Sequence, residues 1–294
     1  MFEGAITAIV TPFRQGKVDE PGFRGLIEFL IENGIQGIVP CGTTGESATL
    51  SHEEHQRVIE IAIEAGGKRV PIIAGTGSNS TEEALSLTRH AKKAGADGAL
   101  LVAPYYNRPT QEGLYQHYRR IAEEVDLPIV LYNIPSRTGV NILPPTVARL
   151  SRIPNIVGIK EASGSLSQVS EVVALCGDDF TVLSGDDALT LPILAVGGKG
   201  VISVVANVLP REMSEMVREF RAGGLSRAQG LHYKLRALMD ALFWETNPIP
   251  VKAALALMGR ISPEMRLPLT PLSDAYRDRL RGVLAGYGLV GESR

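Results

Sequence analysis

Asn155-Ile156-Val157-Gly158-Ile159-Lys160 is a short apolar run that ends in a charge, and Glu161-Ala162-Ser163-Gly164 separates it from the helically periodic Leu166–Cys176. A run rich in β-branched residues reads as a strand covered on both faces, as parallel strands under helices are. The same unit recurs along the chain. Apolar runs at Ala5–Thr11, Gly37–Pro40, Pro71–Ala74, Gly98–Val102, Pro128–Asn133, Asn155–Lys160, Thr181–Ser184 and Gly200–Ser203 alternate with segments of helical period. Gly22–Asn33 carries Phe23, Leu26, Ile27 and Leu30 on one face, and Ser51-His52-Glu53-Glu54 reads as a cap opening a helix that buries Val58, Ile59 and Ala62. Thr81–Ala94, Gln111–Val125, Pro144–Ser151, Leu166–Cys176 and Asp187–Val196 continue the pattern. Eight strand-then-helix repeats predict an α/β fold, a closed (β/α)8 TIM barrel, in preference to an open doubly wound sheet. The open sheet would want Gly-x-Gly-x-x-Gly after its first strand; Gly75-Thr76-Gly77 lacks the third glycine and is expected to form a tight turn.

Beyond the eighth run the alternation stops. Leu209–Arg221, Leu225–Phe243, Ile249–Met258 and Pro271–Tyr287 all read as helices, with Gly223-Gly224 as the break and Pro248 and Pro250 marking a second boundary. A barrel domain over 1–224 followed by a C-terminal helical region over 225–294 is the expected organisation.

The composition narrows the function classes. A net charge of −2 over 294 residues supplies no basic surface for nucleic acid or for an anionic membrane. No apolar stretch approaches the roughly 18 residues of a membrane span. Met1-Phe2-Glu3-Gly4 has neither the charged nor the apolar part of a secretory signal, so a cytoplasmic location is expected. The two cysteines, Cys41 and Cys176, are far apart and expected to be reduced, with Cys176 buried in its helix.

In a barrel of this kind chemistry takes place at the C-terminal ends of the strands. Those ends carry Thr11; Gly42-Thr43-Thr44-Gly45-Glu46; Gly75-Thr76-Gly77; Pro104-Tyr105-Tyr106-Asn107; Tyr132-Asn133; Lys160; Ser184-Gly185-Asp186; and Ser203. No set of His, Cys and carboxylates has metal-ligand spacing, and no histidine falls at a strand end to build a Ser-His-acid triad, so neither a metal nor a cofactor is expected. Amine chemistry on a carbonyl remains. Burial penalises an ammonium, and a lysine at the end of a buried strand can attack a carbonyl as a neutral amine. The glycines around Thr43 and Thr44 let backbone N–H groups approach a carboxylate, and the fork of Arg137 suits a second one. Each feature has an ordinary alternative: a turn, a solvated loop charge, a core tyrosine at Tyr132. Their conjunction on one rim favours a site.

Gly42-Thr43-Thr44-Gly45-Glu46, Tyr132-Asn133-Ile134-Pro135-Ser136-Arg137-Thr138-Gly139 and Gly158-Ile159-Lys160-Glu161-Ala162 resemble the pyruvate-dependent Schiff-base lyases and, within them, the dihydrodipicolinate synthase family. The resemblance runs from about Gly4 to Thr270 and takes in Leu183-Ser184-Gly185-Asp186-Asp187, Gly200-Val201-Ile202-Ser203 and Asn247-Pro248-Ile249-Pro250-Val251-Lys252. It implies that Lys160 forms a Schiff base with pyruvate, whose enamine attacks L-aspartate 4-semialdehyde. Tyr132, Thr43 and Tyr106 match the proton relay, with Tyr106 crossing a dimer interface into the neighbouring site. Thr44 matches the grip on the pyruvate carboxylate and Arg137 that on the semialdehyde, while Gly185 and Ile202 line the pocket through backbone atoms. Ser47, Ala48, His52, His55, Asn79, Glu83 and Tyr105 match the L-lysine site of feedback-sensitive members, and the resemblance implies a homotetramer, a pair of tight dimers. Ala103 departs from the hydroxyl residue of many relatives, for which only a local packing change is expected. A sister lyase acting on N-acetylneuraminate or a keto-deoxy sugar acid would use the same lysine and tyrosine, but Arg137 favours a small second carboxylate. A non-catalytic homologue would be expected to lack Lys160, Tyr132 or Thr43, and all three are present.

Overall fold

The computed structural model describes residues 2–291. Strands β1 (Gly4–Ala8), β2 (Gly37–Val39), β3 (Ile73–Gly75), β4 (Gly98–Val102), β5 (Ile129–Asn133), β6 (Ile156–Glu161), β7 (Thr181–Ser184) and β8 (Gly200–Ser203) form one parallel sheet in the order β2-β1-β8-β7-β6-β5-β4-β3. A parallel bridge between Ile38 and Ile72 joins its two edges, giving a nearly closed (β/α)8 barrel. Closure pairs the edge strands that an open sheet would leave exposed. The helices are α1 (Glu20–Glu32), α2 (His52–Gly66), α3 (Thr81–Ala94), α4 (Gln111–Glu124), α5 (Pro135–Thr138), α6 (Pro144–Leu150), α7 (Leu166–Cys176), α8 (Thr190–Ala195), α9 (Pro210–Arg221), α10 (Leu225–Ala241), α11 (Ile249–Leu257) and α12 (Asp274–Gly286).

Alternation along the strands divides the apolar residues into two layers. Ile6, Ala8, Val39, Ile73, Leu100, Val130, Tyr132, Leu183 and Ile202 form an inner cluster, whereas Ala5, Ile38, Ala74, Leu101, Leu131, Ile159 and Val201 pack outward against the helices. The cap read before α2 is a full capping box: Glu54 N–H donates to Ser51 Oγ (3.2 Å) and Ser51 N–H to Glu54 Oε2 (3.0 Å). Helix α9 follows β8 as the eighth barrel helix, and α10, α11 and α12 form the C-terminal extension, whose Leu235, Val251 and Leu280 join the same outer core.

Three local expectations are corrected, at the first strand, at Gly75 and Gly77, and at Cys176. The first strand stops at Ala8 instead of Thr11, because Val10 N–H is taken by the side chain of Asn207 (3.2 Å); a short hairpin of Phe13–Arg14 with Lys17–Val18 follows. Arg137 sits in a single helical turn, α5, started by Pro135 and ended by Gly139 at φ 72°, whose N–H closes on Pro135 O at 2.9 Å. Gly75 and Gly77 serve close approach in place of a tight turn. A Cβ on Gly75 would lie 2.3 Å from Cys41 O, and one on Gly77 would lie 2.3 Å from Val102 N. Cys41 is buried, but Cys176, the last residue of α7, is only partly covered; both are free thiols.

Candidate active site

Lys160 is the penultimate residue of β6, and alternation turns it into the barrel while Glu161 faces the helices. Its register partners are Tyr132 on β5 and Leu183 on β7. Register thus places the lysine beside the tyrosine, with Nζ 4.1 Å from the ring centre. Lys160 is only 6% exposed, yet it has no ion pair or hydrogen bond among the described residues. The adjacent carboxylate, Glu161, is committed elsewhere: it accepts from Asn133 Nδ2 (3.1 Å), Gln168 Nε2 (3.1 Å) and Ser163 N–H (2.6 Å). A buried amine free of any counter-charge, next to a tyrosine, is arranged for attack on a carbonyl. Gly185, just past β7, keeps that space open, since a Cβ there would lie 3.1 Å from Lys160 Cε and 2.8 Å from Ala162 Cβ. Ile202 on β8 belongs to the inner cluster.

The loop after β2 is built under constraint. Cys41 (φ 55°) and Glu46 (φ 53°) both hold left-handed backbone, at about 1–2 kcal/mol each for a residue with a side chain. Between them Gly45 N–H closes on Gly42 O and Glu46 N–H on Thr43 O, each at 3.1 Å, while Thr11 Oγ1 donates to Gly45 O (2.7 Å). The N–H groups of Thr43 and Thr44 have no acceptor among the described residues, so they remain available to an anion. Thr44 Oγ1 accepts from Asn247 Nδ2 (3.0 Å), and the Asn247 carbonyl accepts from Arg137 Nη2 (3.1 Å), which ties the guanidinium to the threonine turn.

Thr43 and Arg137 line a cavity of about 560 Å³, shared with Ser47, Ala48, His52, His55, Glu83 and Tyr105. Thr43 and Arg137 and six of the seven residues matched to the effector site therefore open onto one space. Asn79 does not line it; its carbonyl accepts from Asn107 Nδ2 (2.9 Å). Lys160 and Tyr132 are not in its wall either, being buried in the barrel. Within one chain Tyr106 is not brought to the site: it is 90% exposed, with φ 70°. Glu83 accepts from the Ser78 hydroxyl and contacts His52 Nε2 (2.8 Å), and these two neighbours hold its carboxyl below the usual range. His55 is buried, and desolvation lowers its imidazole to about 4. Ala103 is fully buried, and its N–H donates to Tyr132 O (2.9 Å).

Sequence reasoning assigned no role to Asn247, Glu46, Asp187 or Lys252. Asp187 accepts from Ser203 Oγ (2.5 Å) and from the amides of Val204 (2.9 Å) and Val205 (3.0 Å), joining the loop after β7 to the end of β8; burial raises its pKa. Lys252 had a legible signal, as the one charge in the apolar run Ile249–Leu257. Among the described residues no cluster of three or more His, Cys, Asp or Glu is placed to hold a metal ion.

A family model described as the dihydrodipicolinate synthetase family matches residues 1–286. The 4-hydroxy-tetrahydrodipicolinate synthase of Syntrophus aciditrophicus (strain SB) is 67% identical over 291 residues, 99% of this chain and 100% of the relative. The crystal structure of a chloride-inhibited dihydrodipicolinate synthase from Acinetobacter baumannii complexed with pyruvate is 50% identical, with a TM-score of 0.97 over 99% of this chain and 100% of that one. The enzyme of Cyanidioschyzon merolae, solved with lysine bound, is 44% identical with a TM-score of 0.96, over 98% and 99% of the two chains. The chain belongs to the dihydrodipicolinate synthetase family.

Proposed function

We infer that this chain is a lyase that condenses pyruvate with L-aspartate 4-semialdehyde to 4-hydroxy-tetrahydrodipicolinate, the first committed step toward diaminopimelate and L-lysine. The observation that carries the reading is the unpaired, buried Lys160 beside Tyr132, in a chain 67% identical to a relative bearing that name. The Lys160 amine adds to the ketone of pyruvate and water leaves, forming an imine. The protonated imine is an electron sink, so a methyl proton can depart to give the enamine. Enamine carbon attacks the aldehyde, the aldehyde oxygen gains a proton, and the substrate's own amine displaces Lys160 as the ring closes. Tyr132, Thr43 and Tyr106 pass the protons; Thr44 and the neighbouring amides hold the pyruvate carboxylate, Arg137 holds that of the semialdehyde, and Gly185 and Ile202 shape the pocket. No resident cofactor or metal enters this scheme.

Borohydride reduction in the presence of pyruvate tests it directly. One adduct per chain, on Lys160, is expected, and it should disappear in Lys160→Ala with the fold intact. An adduct on another lysine would overturn the mechanism.

The proposal extends to assembly, regulation and location. Tyr106 completes the site of a second copy in a tight dimer, two dimers forming a tetramer, and its exposure in the single chain supports this. L-Lysine is the effector, bound at Ser47, Ala48, His52, His55, Asn79, Glu83 and Tyr105. Support comes from the shared cavity and from the relative solved with lysine. No helix among the described residues is long and apolar enough to cross a membrane. The two free thiols suit a reducing cytoplasm.

A further inference from the structure

Among the described residues two lysines are buried, and they are partnered oppositely. Lys160 has no partner, whereas Lys252 on α11 is fully covered and its Nζ lies 2.5 Å from Glu46 Oε1, with both side chains at 0% exposure. The Lys252 ammonium also sits 4.3 Å from the centre of the Phe13 ring. The other Glu46 oxygen accepts from Arg266 N–H at 3.4 Å. Arg266 in turn grips Glu54 with two 2.6 Å contacts and donates to Thr49 O (3.0 Å). Glu46 is thus fastened from the C-terminal extension at both carboxylate oxygens.

Glu46 is no ordinary site for such an anchor. It is the left-handed residue that ends the Gly42–Gly45 turn, its N–H bonds back to Thr43 O, and it lines the cavity with Thr43 and Arg137. Five residues before Lys252, Asn247 reaches the same turn at Thr44 Oγ1. A buried ion pair is a poor device for stability alone, because an apolar pair of similar volume often serves as well. Kept at a strained position beside the reacting groups, it serves geometry instead.

We propose that Glu46 and Lys252 are positioning residues: their buried ion pair pins the Thr43–Thr44 turn from α11, so the C-terminal extension sets the geometry of the carboxylate and proton-relay groups. The proposal rests on the function inferred above. The test is the double variant Glu46→Leu/Lys252→Met, which removes both charges and keeps the volume. Melting temperature, borohydride trapping with pyruvate, and kcat and KM for each substrate are compared with the parent enzyme. The folded double variant is expected to melt near the parent, still to form the Lys160 adduct at saturating pyruvate, and to lose roughly 100-fold in kcat, the effect of a misplaced catalytic group. Pyruvate KM should rise while semialdehyde KM moves less. A folded double variant with parental kcat and KM overturns the proposal. If it does not fold, Glu46→Gln, which keeps the side-chain shape, is read by the same kcat and KM criteria; failure of both to fold makes the pair purely structural and also overturns it. Absence of a pyruvate adduct in the parent enzyme would instead overturn the underlying function.

Discussion

Arg137 shows how much a single side chain depends on its neighbours. Its Nη2 is tied to the Asn247 carbonyl, and its backbone is locked in a one-turn helix between Pro135 and Gly139. A planar fork held this way suits a carboxylate, and losing such a charge-assisted contact costs on the order of 2–3 kcal/mol. Arg137→Ala should therefore raise the apparent KM for L-aspartate 4-semialdehyde far more than that for pyruvate in steady-state kinetics. Equal effects on the two would mean that the arginine shapes the site generally. Lys160 is the complementary case. Its place in β6 and its register with Tyr132 settle its direction, and among the described residues it has no ion pair or hydrogen bond.

At the scale of elements, the starts of α2 and α3 are joined by His52 and Glu83, 2.8 Å apart across the cavity wall. The Ser78 hydroxyl and His52 keep the Glu83 carboxyl ionised, which fits it to an ammonium group. L-Lysine should bind there and inhibit, and Glu83→Gln should weaken that binding by about tenfold or more, as loss of a charged hydrogen-bond partner does. Titration calorimetry measures it. No heat and no inhibition at millimolar L-lysine would reject the effector site and leave the catalytic assignment standing. Elements also explain the misread glycines. Gly75 and Gly77 stand where the end of β3 runs against the backbone of Cys41 and Val102, a contact between segments distant in sequence.

For the whole molecule, two predictions concern assembly and acid. If Tyr106 completes a neighbouring site, Tyr106→Phe and Lys160→Ala should each be nearly inactive, yet regain activity when their subunits are exchanged, since one site of each mixed dimer then has both groups. Mixed dimers that stay inactive would return Tyr106 to its own chain or to the surface. The acid prediction follows from His55 and His117, both buried and both lowered to about 4 by desolvation. A depressed histidine favours the folded state while neutral. Its stability is fully present above the unfolded value near 6.5 and is lost as pH falls toward 4, on the order of 3 kcal/mol for each. Asp187, raised by burial, contributes with the opposite sign, its stability being lost as pH rises. Glutamates lowered by arginine, such as Glu54, lose their contribution only in stronger acid. Calorimetric melting from pH 7.5 to 4.5 should show a decline that is shallower in His55→Gln/His117→Gln; an unchanged slope would refute the assignment to these histidines.

The eight apolar runs, the cap at Ser51 and the lysine at the end of Asn155–Lys160 were legible because each is local. Strand burial, helix start and chain position are written in consecutive residues, and the barrel follows from their repetition. The motifs around Thr43, Arg137 and Lys160 likewise marked a candidate site through residue types and order. What the tertiary structure decided lies between segments distant in the chain: Asn207 ending β1, Asn247 bridging Thr44 and Arg137, and Lys252 paired with Glu46 from 206 residues away. Hydrogen bonds and ion pairs of this kind depend on which side chains the closed barrel brings within reach, and no local period or propensity encodes that distance.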